Sequence, residues 1–277
     1  MRRKPWTIFA LIFGVFPSLT GCGGSGEAPG STSGDTLAVV FGPSLTELFF
    51  EGGAWDRLAA VDRFSTWPPG VQDIPVAGDY LSPSLETIVE LGATSIHAVG
   101  SSEALRDLAS RMGIPFYTYS FDSLEDVMES SRRLEELYPE ADLSGFRHLV
   151  ESSLDSAGES LSGKTLSVMA VVHLEEDGAI TLAGRGTFIA DIITGSGCVL
   201  SAPDAGSYPS VSVEGVLAMA PDRVIILAPG GDPEAIMERW SANGLSTEGV
   251  TPLTGEHLLI PGSRLPQTVR EMISCLN

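Results

Sequence analysis

Asp142–Leu161 reads DLSGFRHLVESSLDSAGESL and lies near the middle of the chain. Apolar residues recur in it at intervals of three and four: Leu143, Phe146, Val150, Leu154, Ala157 and Leu161. This spacing predicts one amphipathic helix, which would be about 30 Å long, the width of a small domain. Alternating strands and helices lie on both sides of it. We therefore predict a rigid helix over residues 141–162 that joins two lobes.

Short β-branched or apolar runs alternate with helical segments throughout both halves. The predicted strands are Thr36–Phe41, Leu58–Val61, Ser95–Val99, Pro115–Tyr119, Leu166–Val172, Arg223–Leu227 and Leu258–Ile260. Strands that alternate with helices of about ten residues are typical of a parallel sheet with both faces covered. We therefore predict an α/β fold of two Rossmann-like lobes with central parallel sheets, joined by a single long α-helix. The lobes span residues 36–140 and 163–277.

A capping pattern occurs once in each half. Ser84-Leu85-Glu86 begins one predicted helix, and Ser212-Val213-Glu214 begins another 128 residues later. Serine is a favoured N-cap residue, and the helix dipole favours an acid in the first turn. Each copy is followed by a strand. Two copies in equivalent places indicate duplicated lobes.

The first 22 residues predict export. Arg2-Arg3-Lys4 precedes the apolar stretch Trp6–Phe16, which is too short to span a membrane as a helix. Leu19-Thr20-Gly21-Cys22 resembles the bacterial lipobox, in which the cysteine is lipidated, although an ordinary signal peptide with a chance cysteine is the alternative. We predict a lipoprotein signal peptide over residues 1–22 and a flexible tether, GGSGEAPGSTSGD, over residues 23–35. The protein would be anchored through Cys22 to a bacterial membrane, facing the periplasm or the cell exterior.

The charge balance restricts the partners. The formal net charge is −20, and the lysines are Lys4 and Lys164. The sequence has no basic stripe, which argues against nucleic acid and anionic lipid headgroups as partners. A negative surface suits a partner that presents arginines, and it also suits plain solubility. No apolar run of about 18 residues follows Cys22, so we predict that the membrane attachment is through the lipid alone. We also predict a monomer.

Motifs of enzymes and metal sites are missing from the sequence. It contains no GxSxG, HExxH, CxxC or P-loop, and Gly184–Ile189 begins like a dinucleotide fingerprint but lacks the third glycine. The four histidines are scattered singly: His97, His148, His173 and His257. His97 lies in a strand run and is predicted to be a core or rim residue, and His148 lies on the polar side of the long helix. We predict no catalytic residue, no cofactor and no protein-bound metal.

Several motifs resemble those of the iron-siderophore and vitamin B12 class of ABC-importer substrate-binding proteins, whose two α/β lobes are bridged by one long helix. The matching segments lie between Thr36 and the C-terminus: Gly42–Leu48 (GPSLTEL), Trp67-Pro68-Pro69, Ser84-Leu85-Glu86, Tyr208–Leu217 (YPSVSVEGVL), Pro221–Ile225 (PDRVI) and Pro261–Pro266 (PGSRLP). The chain departs from the family at His97, where the strand is normally apolar, and in the loop 78–82. Because of these departures, the resemblance does not identify the ligand.

The resemblance implies a function. Such a protein captures a metal chelate or corrinoid (cobalamin, a ferric siderophore or heme) between its lobes and delivers it to an inner-membrane permease dimer. In the family the glutamates that match Glu86 and Glu214 meet arginines on the two permease subunits. A surface lipoprotein that scavenges such a ligand without a permease is the alternative, and a tethered extracytoplasmic enzyme is a more distant one.

Ligand sites in open α/β sheets lie beyond the carboxyl ends of the strands, and in a two-lobed protein both sets of ends face one cleft. The loops at these ends carry the candidate ligand-binding residues Ser44, Trp67, Tyr80, Ser101, His173, Arg185, Tyr208 and Arg264. Tyrosine and tryptophan offer flat apolar faces that suit a corrin, a heme or a catecholate. Arg185 and Arg264 would clamp carboxylates or phosphate. The alternative for each aromatic residue is ordinary packing, which we consider strongest for Trp67.

Two cysteines remain if Cys22 is lipidated. Cys198 and Cys275 both lie in the C-terminal third, and compartments outside the inner membrane permit disulfides. The two residues either pair or are small buried hydrophobes. Some proteins of the class that the chain resembles tie the final helix to this part of the C-terminal lobe, which favours the pair.

Overall fold

A computed structural model describes residues 36–161, 163, 165–175 and 178–276. The predicted leader and tether, with the predicted lipidation site Cys22, lie outside the described residues. Within the described residues, no helix combines the length and the apolar character needed to cross a membrane.

The described N-terminal lobe is built on a four-stranded parallel sheet. Its strands are β1 (Ala38–Phe41), β2 (Leu58–Val61), β3 (Ser95–Val99) and β4 (Phe116–Tyr119), in the order β2-β1-β3-β4. The helices of the lobe are α1 (Pro43–Glu51), α2 (Leu85–Glu90), α3 (Glu103–Met112) and α4 (Leu124–Leu137). All residues of the central strand β1 are buried, as expected where helices cover both faces of a parallel sheet.

The sheet of the C-terminal lobe is mixed, whereas a parallel sheet was predicted. Its strands are β5 (Ser167–Leu174), β6 (Ile180–Leu182), β7 (Val199–Leu200), β8 (Ser210–Val211), β9 (Arg223–Leu227) and β10 (Val250–Leu253). The order is β10-β9-β5-β6-β8, and β7 pairs with the start of β5. β6 is antiparallel to β5 and to β8. The short connection 175–179 explains this, since a parallel neighbour would need a crossover of about a dozen residues.

The helices of the C-terminal lobe are α6 (Phe188–Gly195), α7 (Val213–Met219), α8 (Pro233–Ala242) and α9 (Leu265–Ser274). The prediction of a strand at Leu258–Ile260 was wrong, because this run forms a turn. Leu258 N donates to Gly255 O at 3.2 Å, and Ile260 N donates to His257 O at 2.9 Å. Leu258 is buried in the core, and a short buried apolar run has the same appearance in a turn as in a strand.

The long helix α5 (Ser144–Ser160) lies between the two lobes and packs on α6 and α9. Its 17 residues span about 25 Å and confirm the predicted helix, with ends slightly inside the predicted limits. Its buried residues Phe146 and Val150 belong to a core cluster that contains Phe49 of α1 and Val269 of α9. One hydrophobic core therefore runs through both lobes. We expect little motion between the lobes, because separating them would expose this apolar surface to water.

Candidate functional site

A buried ion pair joins the two lobes at their boundary. Glu47 of α1 is 1% exposed. Arg264, in the loop before α9, donates from Nη2 to Glu47 Oε1 at 2.6 Å, and Ser263 Oγ donates to Oε2 at 3.1 Å. A Cβ on Gly262 would lie 2.6 Å from Glu47 Oε2, so the close approach of this loop requires glycine.

This pairing gives Arg264 a partner within the protein that the sequence does not predict. The sequence suggested a clamp for an anionic ligand, but the positive charge is neutralised by a carboxylate within the protein. Sequence analysis missed Glu47. One signal was present, since Glu47 is an acid set among the apolar residues Leu45, Leu48 and Phe49 of α1, where a charge needs a buried partner.

Trp67 lies against this ion pair. The Arg264 Cζ atom is 5.0 Å from the centroid of the indole ring, within the range of a cation–π contact. The Trp67-Pro68 peptide bond is cis. Trp67 is 40% exposed. The tryptophan of one lobe thus packs on the arginine of the other and keeps a substantial exposed surface at the boundary between them.

Asp62 holds the loop that leads from β2 to Trp67. Its Oδ2 accepts from Gly42 N at 2.7 Å, and its Oδ1 accepts from Ser65 N and Ser65 Oγ, both at 2.8 Å, and from Phe64 N at 3.1 Å. Burial raises the pKa of Asp62, although these hydrogen bonds act in the opposite direction. Phe64 is 43% exposed and adds a second aromatic side chain to this loop. Sequence analysis missed both residues, although aspartate followed by serine three residues later is a turn-forming pattern.

Tyr80 has its polar end within the N-terminal lobe. Its hydroxyl donates to the carbonyl oxygens of Phe41 and Val99, at the carboxyl ends of β1 and β3. Its ring makes an edge contact with Phe41, with 5.9 Å between ring centroids. Burial raises the pKa of Tyr80. These contacts fix the loop 78–82 across the edge of the sheet, and the next residue, Leu81, is 88% exposed there.

The structure brings Arg185 and Tyr208 to neighbouring loops of the C-terminal lobe. Gly184 N donates to Ser207 O at 2.7 Å, which joins the two loops. Arg185 is exposed, and Tyr208 is half-buried. Burial and, to a smaller extent, the nearby carboxylate of Asp122 raise the pKa of Tyr208 to about 12. Since Asp122 belongs to the N-terminal lobe, Tyr208 also lies at the boundary between lobes.

The remaining predicted ligand residues are Ser44, Ser101 and His173, and each of them has different surroundings. Ser44 is buried in the first turn of α1, and Ser101 is exposed after β3. His173 of β5 is exposed, with Nε2 3.3 Å from Glu175 Oε2. Within the described part of the chain, neither Ser101 nor His173 forms a hydrogen bond or ion pair with the other predicted ligand residues.

His97 is a core residue, as predicted. Its ring is fully buried in β3, with Nδ1 2.9 Å from Tyr119 Oη and Nε2 3.0 Å from Ser95 Oγ and 2.9 Å from Tyr138 Oη. Burial lowers the pKa of His97 to about 3, and the positive charge of Arg133 acts in the same direction. His148 is exposed on α5, which confirms its predicted position. In the residues that the structure describes, no group of three or more His, Cys, Asp or Glu side chains is arranged to hold a metal ion.

The predicted disulfide between Cys198 and Cys275 is not formed, and both residues are free thiols. Cys198 is buried in the core. Cys275 is half-buried, and its Sγ donates to Glu271 O at 3.2 Å, one turn earlier. Burial raises the pKa of Cys275. The last helix is held by apolar packing instead, through buried residues that include Val269 and Met272.

Glu86 and Glu214 occupy equivalent exposed positions on the two lobes. The Oγ of Ser84 accepts from Thr87 N, and the Oγ of Ser212 accepts from Gly215 N, so both serines are N-caps as predicted. Each glutamate is the second residue of its helix. One turn later, Val89 is 53% exposed and Leu217 is 57% exposed. The lobes therefore present two matched surfaces, each with an acid and an exposed aliphatic side chain.

Known proteins share this architecture. The "Vitamin B12-binding protein" of Vibrio campbellii is 23% identical over 241 residues, which cover 84% of this chain and 86% of that protein. A solved structure of a possible iron-binding (periplasmic solute-binding) protein from Staphylococcus epidermidis superposes with a TM-score of 0.74 at 18% identity, covering 87% of this chain and 98% of that one. The periplasmic heme-binding protein HutB of Vibrio cholerae superposes with a TM-score of 0.68 at 21% identity, covering 88% and 99%.

The sequence model of one family, described as periplasmic binding protein, matches residues 39–245. This match contains most of β1, the long helix α5 and β9, and it ends before the loop that carries Arg264. It covers most of the chain, and the superposed structures have the same two-lobed α/β fold. The chain therefore belongs to the periplasmic binding protein family.

Proposed function

We propose that this protein is the substrate-binding lipoprotein of an ABC importer, which captures a metal chelate or corrinoid between its lobes and delivers it to an inner-membrane permease. The observation that carries the proposal is the exposed indole of Trp67 at the boundary of the lobes, on a loop that also exposes Phe64. Flat apolar faces of this kind suit a large ring system. The relatives are named for binding vitamin B12, heme or iron, and none of those named above is an enzyme.

Arg185 is the cation that we assign to ligand recognition. It is exposed beside the Tyr208 loop, and among the described residues it forms no ion pair. Arg264, by contrast, is paired with Glu47. An anionic group on the ligand, such as a carboxylate or phosphate, would therefore meet Arg185. Cobalamin, heme and ferric siderophores all remain candidates.

A ligand screen tests the proposal. The chain from Gly23 onward would be titrated with cyanocobalamin, hemin and ferrioxamine, with thermal unfolding and absorbance as readouts. A ligand present at 100 times its Kd stabilises the folded state by about 2.7 kcal/mol, which is a clear rise in Tm. We expect one of the three to produce this rise. Absence of binding by all three would contradict the assigned ligand class.

Lipid anchoring through Cys22 is part of the proposal. Acyl chains contribute about 0.8 kcal/mol per buried CH2, so a multiply acylated cysteine would keep the protein at a membrane surface. Cys22→Ser should remove palmitate labelling and either release the protein from membranes or leave it unprocessed. Labelling equal to that of the parent would place the anchor elsewhere.

The permease would dock on Glu86 and Glu214. A two-fold symmetric permease needs one matching contact on each lobe, and these glutamates are exposed at equivalent positions. Glu86→Arg or Glu214→Arg should abolish uptake and ligand-stimulated ATPase activity of the permease, whereas ligand affinity and Tm should barely change. Complex formation by the parent should be faster at low salt, as in charge-steered association.

Glu90→Arg supplies the matched control for docking. Glu90 is exposed at the last position of the same short helix, α2. The same charge reversal there should leave uptake unchanged. If Glu86→Arg and Glu214→Arg also leave uptake intact, the scavenging lipoprotein that works without a permease becomes the better interpretation. A loss of stability with intact transport would mean that the glutamates act only on their own helices.

A further inference from the structure

We infer that Glu47 and Arg264 are positioning residues that hold Trp67 in place, and that through Trp67 they make the protein prefer planar ligands to non-planar ones. The first half of this inference concerns the protein alone. The second half rests on the proposed function. The inference gives the buried ion pair between lobes a role in ligand selection, although neither of its members would touch the ligand.

Glu47 fixes the arginine. Because its carboxylate is almost completely buried, it needs donors for both oxygens. The loop before α9 supplies them: Arg264 Nη2 and Ser263 Oγ, with the backbone N of Arg264 at 3.4 Å from Oε2. Arg264 is also the N-cap residue of α9, where its carbonyl oxygen accepts from Thr268 N at 3.1 Å. Hydrogen bonds therefore hold both the guanidinium group and the backbone of Arg264 in place.

The guanidinium group in turn supports the indole. Arg264 Nε is buried and has no hydrogen-bond partner among the described residues. The orientation of the group is thus set by the bond from Nη2 to Glu47 and by contact with Trp67, 5.0 Å away. A guanidinium is planar and weakly hydrated, so it stacks on an aromatic face better than the compact ammonium of lysine does.

The other side of the Trp67 loop is tied to the same helix. Thr46, next to Glu47 on α1, has its Oγ1 2.9 Å from Ser65 Oγ, and Ser65 is held by Asp62. Helix α1 therefore holds Trp67 twice, once through its loop and once through Arg264 of the other lobe. Such support from both sides fixes the position of the indole before a ligand arrives, which lowers the entropic cost of stacking.

Arg264→Lys separates positioning from charge pairing. Lysine keeps a cation for Glu47, but it lacks the plane on which Trp67 packs. We expect acrylamide to quench the fluorescence of Trp67 more strongly in Arg264→Lys than in the parent. Glu47→Gln should have the same effect, because it removes the charge that holds the guanidinium. Subtracting the emission of the matching Trp67→Phe protein isolates the emission of Trp67 from that of the other tryptophans.

Ligand binding supplies the second readout. Arg264→Lys should weaken the binding of hemin, which is planar, by about tenfold, the upper range for an aromatic contact. The binding of ferrioxamine, which is not planar, should stay within about twofold of the parent in a stacking model. Arg239→Lys is the matched control, since Arg239 is exposed on α8 and should change neither readout.

The outcomes separate the inference from the proposed function. Unchanged quenching of Trp67 in both Arg264→Lys and Glu47→Gln would overturn the positioning role. Increased quenching with equal losses for hemin and ferrioxamine would overturn the stacking role. If the parent binds none of the probes, the proposed function and the stacking role both fail, whereas the quenching result still decides whether Glu47 and Arg264 position Trp67.

Discussion

Replacing Arg264 with alanine should lower the free energy of unfolding by about 3–5 kcal/mol, which is the usual cost of breaking a buried ion pair. The cost arises because Glu47 would remain buried without its cation. The truncation also removes the guanidinium from Trp67 and a contact between lobes. Urea denaturation at pH 7 measures the change, provided that the slope of the transition is unchanged.

Two variants control this experiment. Arg185→Ala removes an exposed arginine, and its free energy of unfolding should change by less than about 0.5 kcal/mol. The double variant Glu47→Gln/Arg264→Ala removes both charges and should recover part of the loss. A loss below about 1 kcal/mol in Arg264→Ala would mean that water compensates Glu47 and that the pair is not buried in solution.

Folding stability should fall as the pH drops below about 6.5, the ordinary pKa of histidine in an unfolded chain. In the folded protein the pKa of His97 is lowered to about 3. Between these values the unfolded chain binds a proton that the folded protein does not, so stability is complete above pH 6.5 and is lost as the pH falls towards 3. The slope is about 1.4 kcal/mol per pH unit, or about 2 kcal/mol by pH 5.

The surroundings of His97 explain why its charged form is excluded. Its hydrogen-bond partners are the hydroxyl groups of Tyr119, Tyr138 and Ser95, and burial raises the pKa of both tyrosines, so they stay neutral. Arg133 adds a positive charge nearby. No carboxylate bonds to the ring among the described residues.

Stability is compared between pH 5 and pH 7, where most carboxylates are already ionised, and a His97 variant separates the effect of His97 from that of the other histidines. His97→Gln should be less stable at pH 7, since hydroxyl groups lose their partner, but its stability should depend less on pH. His148→Gln, which changes an exposed histidine of α5, should keep the slope of the parent. If His97→Gln and the parent have equal slopes, His97 is not the group that titrates.

Much of this protein is determined by local sequence patterns. The spacing of Phe146, Val150 and Ala157 determines a helix with one apolar face, and α5 buries that face. The serine and glutamate of α2 and α7 determine two capped helix starts with exposed acids, as the structure has them. These features depend on residues within a few positions of one another, so the periods of the helix and strand and the chemistry of the N-cap are enough to predict them.

The tertiary structure alone decided the partners of the candidate site. Arg264 resembles a ligand clamp in the sequence, and its pairing with Glu47 joins residues 217 positions apart. Cys198 and Cys275 were candidates for a disulfide, but both are free thiols in the folded protein. The sequence alone is compatible with a ligand clamp or an internal ion pair at Arg264, and with a disulfide or two free thiols at the cysteines. Which charges meet, and which aromatic face stays exposed, depends on how the two lobes pack around α5, because a buried polar group needs a partner within the protein.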